Sequence, residues 1–384
     1  MKPAVIAVIL WLASTAPEGA PGAGSRFRQV SITVGHGPRW ITVADVNNDR
    51  HPDIVVANDA DGTITVLLGD GKGAFHPSSG SPFPAGHLPN DIAAADMNGD
   101  GNLDLVIANH QSPYLTVLLG DGKGGFHPAP GSPFDVHSNP HPHGIVVADF
   151  NGVGKADAAT DSWGSNQIEL LLGDGTGRLR TPGRYFAVGR RPYERLRSAD
   201  FNHDGIPDVV TSNLDDGTVS ILLGDGKGGF RNAAGSPFPA GAKPWQVAVD
   251  DFDGDGNPDL ILIPYQRDIA SPKENAVTVL LGDGKGAFKP MPRSPFSLQG
   301  CRGPNGVAAG DLRGDGSRAI VVACAESRSL SVFERGRDGK IVMSSVPSRG
   351  GWGGVAVARL TGDRRAQIIT ADNDAGTVTI YFPQ

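Results

Sequence analysis

The sequence predicts an all-β fold: a seven-bladed β-propeller of four-stranded antiparallel blades, closed by an N-terminal strand that completes the last blade. Three observations lead there. An acidic nonapeptide recurs with first positions at 45, 96, 149, 200, 251, 311 and 359, in steps of 51, 53, 51, 51, 60 and 48 residues. A fixed period of about fifty residues marks a repeat architecture. Between the nonapeptides lie short runs rich in Val, Ile and Leu, bounded by Gly and Asp, which read as strands. The last repeat supplies only three strands, ending with Thr377 to Phe382, while Phe27 to Val34 precedes the first nonapeptide and looks like a fourth. Pairing the two ends removes the edges that an open array would expose.

Length alone, 384 residues, suggests two or three domains, but the repeat makes one closed body over residues 25–384. The 54 Gly and 30 Pro favour turns and short strands over helices. A net charge of -7 argues against nucleic acid as a partner. Residues 1–24 stand outside the repeat: Lys2, an apolar run from Ala4 to Ala13, then Gly22, Ala23 and Gly24. They read as a secretory signal peptide, because the run is too short to span a bilayer. The expected product is secreted or extracytoplasmic, with no membrane span, and monomeric. Cys301 and Cys324 are the two cysteines. In an exported chain an even pair is expected to be bridged, with two separate buried thiols as the alternative.

Each repeat has four parts. A first run, such as Ile41 to Ala44, enters the acidic loop. A second, such as Asp53 to Ala57 or Asp104 to Ala108, leaves it. A third, such as Thr63 to Leu68, ends in Gly69-Asp70-Gly71, and a more polar segment from Ala74 to Phe83 follows. The second and third runs are apolar on both faces, so both faces must be covered. The Gly-Asp-Gly-Lys-Gly segments at 69–73, 120–124, 224–228 and 282–286 lack the spacing and hydroxyl of a phosphate loop. Lying between two strands, they are hairpin turns.

The nonapeptide carries the chemistry. In Asp96, Asn98, Asp100, Asn102 and Asp104, oxygen-bearing side chains occupy positions 1, 3, 5 and 9, Gly101 sits at position 6, and position 7 offers a backbone carbonyl. A hard cation, Ca²⁺ above all, takes its six to eight oxygens from such a loop. The same pattern recurs in Asp45, Asn47, Asp49, His51 and Asp53; in Asp200, Asn202, Asp204, Ile206 and Asp208; and in Asp251, Asp253, Asp255, Asn257 and Asp259. Thirteen carboxylates crowd these four loops and would repel one another without a cation, so about four Ca²⁺ ions are expected. They would bring the net charge of -7 close to zero.

These loops, with Leu-Leu-Gly-Asp-Gly-Lys-Gly-Gly-Phe one strand pair later, resemble the FG-GAP/VCBS repeat family over most of residues 26–384. That family includes the calcium-binding propeller of integrin α subunits and a seven-bladed fungal lectin. The resemblance implies seven blades with Ca²⁺ between first and second strands. It does not choose among adhesion proteins, lectins and enzyme-attached propellers.

Three copies are eroded: Val153 stands at position 5 of the third, Arg313 and Ala319 at positions 3 and 9 of the sixth, and Arg359, Thr361 and Gln367 at positions 1, 3 and 9 of the seventh. Each carries a base, so Lys155, Arg313 and Arg359 are expected to replace the ion and pair with Asp149, Asp311 and Asp363. Solvated bases left by drift are the equal alternative.

The connections opposite the acidic loops collect aromatic residues. Trp40, Trp245, Trp352 and Tyr193 precede first strands; Trp163, Tyr114 and Tyr265 lie between second and third strands. With Arg39, Asn90, His143 and Asn305, the residues Trp40, Tyr193, Trp245 and Trp352 make an expected ligand-binding face for carbohydrate or protein. The opposing reading is that the tryptophans pack under loops or plug the channel. A transition-metal site from His137, His141 and His143 is disfavoured, because Pro140 and Pro142 break any regular spacing. Asn58, Asn109, Asn213 and Asn373 read as turn formers. A binding or adhesion module is the leading expectation. The alternatives are a polysaccharide lyase or hydrolase using His141, His143, Arg191, Tyr193 or Glu194, and a purely structural protein. No nucleophile elbow or cofactor fingerprint is present.

Overall fold

The computed structural model describes residues 26–137, 141–162, 164–265, 274–336 and 340–384. The expected signal peptide, Trp163, Pro140 and the side chain of Glu194 lie outside the described residues. Seven antiparallel sheets follow one another among the described residues, and in the first six the chain runs from the innermost strand outward, while in the seventh the outermost strand comes from the N-terminal segment. In blade 1 the strands are Pro38–Ala44, Asp53–Asn58, Thr63–Gly69 and an outer strand beginning at Phe75. The innermost strands of blades 2 to 7 are Pro89–Ala95, Pro142–Ala148, Pro192–Ala199, Pro244–Asp250, Pro304–Gly310 and Val355–Ala358.

Closure follows expectation. Phe27–Thr33 pairs antiparallel with Thr377–Pro383, from Phe27 opposite Pro383 to Thr33 opposite Thr377, and so completes the last blade. The core confirms the ring. It divides into seven apolar clusters, one at each interface between neighbouring blades. The cluster joining blade 7 to blade 1 contains Ile369, Ile380 and Phe382 on one side and Ile41, Ile54 and Leu67 on the other.

The two-faced apolar runs are explained by that arrangement. Every residue of Asp53–Asn58 is buried. Ile54 and Val56 join the cluster with blade 7, while Val55 and Ala57 join the cluster with blade 2. Successive side chains of a strand point to opposite faces, so both must be apolar when blades pack on both sides. The Gly-Asp-Gly-Lys-Gly segments are hairpins. Asp70 accepts hydrogen bonds from the amides of Lys72 (2.7 Å) and Ala74 (3.0 Å), and Gly71 has φ of +66°.

One feature differs from a plain four-stranded blade. In blades 1, 2, 4 and 5 the outer strand is split, as in Phe75–Pro77 and Phe83–Pro84, and both halves pair with the third strand. A serine hydroxyl helps fill the gap: the Val66 amide donates to Ser81 Oγ at 3.0 Å, and Val117, Ile221 and Val279 donate likewise to Ser132, Ser236 and Ser294. Cys301, just ahead of the first strand of blade 6, is bridged to Cys324 at the end of the second, with Cα atoms 5.3 Å apart.

Candidate functional site

At one end of the ring, the acidic loops fold back on their own first carboxylate. Asp96 accepts hydrogen bonds from the amides of Gly99 (2.7 Å) and Gly101 (2.9 Å), and Asp100 accepts one from Asn102 (2.8 Å). Asp45, Asp200 and Asp251 accept from the corresponding amides of Arg50, Gly205 and Gly256. The loop therefore curls around its acids, and the amides hold Asp100 and Asp255 below the usual carboxylate range. In the fifth loop, carboxylate oxygens of Asp251, Asp253 and Asp255 lie within 4.8 Å of one another. Two oxygens on one Ca²⁺, each about 2.4 Å from it, can be at most about 4.8 Å apart, so this donor set fits the ion.

The aspartate at position 9 has a second task. Asp53, Asp104, Asp157, Asp208 and Asp259 are fully buried. Each accepts at least one amide from its loop and one from a glycine at or just beyond the end of the third strand; for Asp104 these are Met97 and Gly120, both at 2.8 Å. The group thus fastens loop to blade, and blade 3 keeps it although its loop has lost other ligands. Burial, followed by weaker repulsion from neighbouring acids, pushes Asp157, Asp208 and Asp259 up to about 6 and raises Asp53 and Asp104 as well. Each oxygen that accepts one amide keeps a lone pair that a cation can use.

The eroded loops depart from expectation. Lys155 donates to the carbonyl of Asp174, not to Asp149. Arg313 turns to Glu334 (3.1 Å), which also binds Arg26, and leaves Asp311. Arg359 reaches Asp311 of the neighbouring blade at 3.7 Å, while Asp363 is taken by Arg365 at 2.7 Å. None of the three named bases therefore pairs with the acid of its own loop: each finds its acceptor outside the loop, and in the seventh loop it is Arg365, not Arg359, that holds Asp363. In blade 7, Gln367 takes the place of the buried aspartate by accepting the Leu360 amide at 2.7 Å.

At the opposite end, the expected face is brought together but largely buried. Trp40, Asn90, His143, Trp245 and Asn305 are all buried, and only Arg39, Tyr193 and Trp352 of the expected set remain partly exposed. The buried groups tie blades to one another. Trp40 Nε1 donates to Asn90 Oδ1 (3.0 Å), and Asn90 Nδ2 donates to the carbonyl of His143 (3.0 Å). Asn305 Nδ2 donates to the carbonyl of Gly353 at 2.6 Å. Arg39 pairs with Asp59, Arg190 with Asp216 and Arg191 with Asp215. Asn58, Asn109 and Asn213, expected as turn formers, are instead the buried last residues of second strands, where their side chains donate to Thr65, the Ala85 carbonyl and Ser220.

The residue that organises this end was missed by sequence reasoning. Arg195 is buried on the innermost strand of blade 4. Its guanidinium carbon lies 3.7 Å from the ring centroid of Trp40 in blade 1. It donates to Asp91 of blade 2 (2.9 Å) and Gln246 of blade 5 (3.1 Å), and Arg197 adds a longer contact to Asp91 at 3.6 Å. One side chain thus spans the centre of the ring. No repeat marks it, and its acidic partner is 104 residues away.

Around this plug runs an arc of rings. His110, His141 and His143 are mutual neighbours; His143 touches Tyr193 at 4.5 Å between centroids. Tyr193 meets Tyr265 at 6.0 Å, Tyr265 meets Trp245 at 5.0 Å, and Trp245 meets Trp352 at 6.1 Å. Burial, then the neighbouring His143, lowers the pKa of His141. The third histidine of this group is His110, not His137, which is exposed and whose amide donates to Glu169. Trp245 Nε1, Gln246 Nε2 and Asn305 Oδ1 are buried and have no hydrogen-bond partner among the described residues.

Among known families, the FG-GAP-like repeat matches residues 45–107, 96–160 and 200–262. Cartilage acidic protein 1 of Xenopus tropicalis is 28% identical over 232 residues, 59% of this chain but 28% of that protein, so the chain spans little more than a quarter of that relative's length. Among solved structures, BBS1N in complex with ARL6DN superposes with a TM-score of 0.61 at 11% identity, covering 94% of this chain and 98% of that one. The periplasmic gluconolactonase of Pseudomonas aeruginosa gives 0.60 at 19% identity, covering 81% and 85%. These two likenesses concern the fold alone. The matched segments each run from one acidic loop into the next blade, so the chain is a seven-bladed β-propeller that carries FG-GAP-like repeats over residues 45–160 and 200–262.

Proposed function

We propose that this protein is an exported, calcium-stabilised propeller that binds carbohydrate or protein at the end opposite its acidic loops. Asp45, Asn47, Asp49 and Asp53, with the His51 carbonyl, would hold one Ca²⁺. The corresponding groups starting at Asp96, Asp200 and Asp251 would hold three more. The ions would neutralise crowded carboxylates and fasten the loops, a structural role suited to extracellular affinities of about 10⁻⁴–10⁻³ M.

The observation that carries the binding reading is the mouth itself. Partly exposed Tyr265 and Trp352 pack on buried Trp245, and partly exposed Tyr193 packs on Tyr265; at the same end Trp245 Nε1, Gln246 Nε2 and Asn305 Oδ1 lack a hydrogen-bond partner among the described residues. Flat rings beside unpaired donors and acceptors suit a hydroxyl-rich ligand, since a ring face stacks on a pyranose while the polar atoms fix its orientation. The buried tie of Arg195 makes the floor rigid, which lowers the ordering cost of binding. A glycan array with Ca²⁺ present tests this, with Trp352→Ala as the comparison. Saccharide binding that is lost in the variant supports the reading; a silent array beside capture of a protein ligand at the same residues selects the protein alternative. Turnover of an acidic polysaccharide in a parallel lyase assay would replace both with an enzyme.

A further inference from the structure

We propose that His110, His141 and His143 form a binding site for one divalent transition-metal ion of the zinc class, with a coordination position left open at the channel mouth. The site is separate from the calcium loops and does not depend on them. Two blades supply it. His110 directly follows the second strand of blade 2, Asp104–Asn109; His141 immediately precedes the innermost strand of blade 3, Pro142–Ala148, and His143 is its second residue. Residues two apart in extended chain share a face, and the rings of His141 and His143 are indeed stacked, 12° from parallel with centroids 5.3 Å apart. Pro142 between them opens the strand, a place where proline is tolerated. Packing of blade 2 against blade 3 then brings the His110 ring to within 4.8 Å of one and 4.5 Å of the other.

The nitrogens are placed for an ion. His141 Nδ1 and His143 Nε2 are 3.2 Å apart. A tetrahedral ion with Zn–N bonds of about 2.0–2.1 Å needs its nitrogens roughly 3.3 Å apart. One ligand atom from each of the three residues lies within 4.8 Å of the others. The residual gap closes by turning an imidazole about χ2, a soft torsion. Backbone anchors hold the frame: the His143 carbonyl accepts Asn90 Nδ2, the Gly144 amide donates to Asp161 at 2.8 Å, and the His110 amide donates to the Leu88 carbonyl at 2.9 Å. His143 is buried, while His110 and His141 keep part of their surface in solvent, so an ion can enter. Three imidazoles suit Zn²⁺, Co²⁺, Ni²⁺ or Cu²⁺, whereas the oxygen loops at the other end suit Ca²⁺. Three protein ligands plus one exchangeable position is the arrangement of a site that takes a water or a ligand group. Here that position would neighbour Tyr193, whose ring touches His143.

The test uses the full chain in saturating Ca²⁺, which occupies the oxygen loops. Co²⁺ is titrated, read by its visible absorption and by calorimetry, and then displaced with Zn²⁺. One equivalent is expected, with affinity reduced at least about tenfold in His110→Ala and in His141→Ala, because loss of a ligand should cost no less than loss of an outer-shell partner. His137→Ala, outside the cluster, should match the unaltered chain. Thermal melts show that each variant is folded. Absence of Co²⁺ absorption in the unaltered chain overturns the proposal, whatever the variants do. So does binding that survives in folded His110→Ala and His141→Ala.

Discussion

The two ends of this propeller solve the same problem, holding loops in place, by opposite means. At the acidic end each loop is tied mainly within its own blade, as when Asp96 takes the amides of Gly99 and Gly101. At the aromatic end the ties run between blades: Trp40 to Asn90, Asn90 to His143, Arg195 to Asp91 and to Gln246. Local ties can be lost singly. Blades 3, 6 and 7 have eroded loops and a single, unsplit outer strand, yet their first three strands pair in the same order as in the other blades. Ties through the centre are shared by several blades, so one substitution is felt by all of them. The acidic end is modular and, on the function proposed above, would depend on an ion; the aromatic end is collective and built from the protein's own side chains.

The largest test of that contrast is Arg195→Ala. It leaves Asp91 buried without its main charged partner and uncovers the Trp40 ring, and breaking a buried pair costs about 3–5 kcal/mol. The loss should appear in chemical denaturation with Ca²⁺ present or absent; a loss confined to either condition would mean that the two ends are coupled. Trp245→Ala comes next. Trp245 is buried against Tyr265 and Trp352, so truncation should destabilise by about 3–5 kcal/mol, and it cannot serve as a clean probe of ligand binding. Half-exposed Trp352→Ala is the sharper probe, with weaker ligand binding and a smaller change in the melt.

A gentler effect comes from acid. Burial holds Asp157, Asp208 and Asp259 at about 6, above their ordinary 3.8. A carboxyl whose folded pKa is raised binds its proton more tightly when folded, so its contribution to stability is present at low pH and lost as pH rises through about 4 to 6. In chelator, the melting temperature should therefore rise as pH falls from about 7 to about 5. With Ca²⁺ on the fourth and fifth loops, Asp208 and Asp259 stay ionised and most of that gain disappears, leaving the part due to Asp157. A chelated protein that loses stability steadily over the same interval would show that these aspartates are ionised without the metal. The smallest effect is Asp149→Ala: it should leave the number of bound Ca²⁺ ions unchanged, whereas Asp100→Ala should remove one of four.

The contrast also explains what could be read in advance. Blade number, strand order, hairpins, acidic loops and the closing N-terminal strand were legible because they repeat, and a repeated pattern announces itself at every copy. The aromatic mouth was legible only as a location. Trp40, Asn90 and Asn305 were placed at the right end, but their burial depends on which blade faces which across the channel. Arg195 could not be found, since it occurs once and its partners lie in blades 1, 2 and 5. His137 was grouped with His141 and His143 because they are close in sequence. The neighbouring blade supplies His110 from 31 residues before His141. Arg313 was expected to stay in its loop, but it pairs instead with Glu334 on the third strand of its own blade, which also holds Arg26.

The central claim is that the acidic loops hold Ca²⁺ and that the fold draws stability from it. Scanning calorimetry of the full chain in saturating Ca²⁺ and in excess EGTA tests this most directly, with Asp100→Ala run alongside. Ligand bound only to the folded state stabilises it by about 2.7 kcal/mol per site at a hundred times Kd. The account predicts a melting temperature that falls clearly in EGTA, with a smaller drop in Asp100→Ala because one site is already lost. An unchanged melting temperature in EGTA would contradict it.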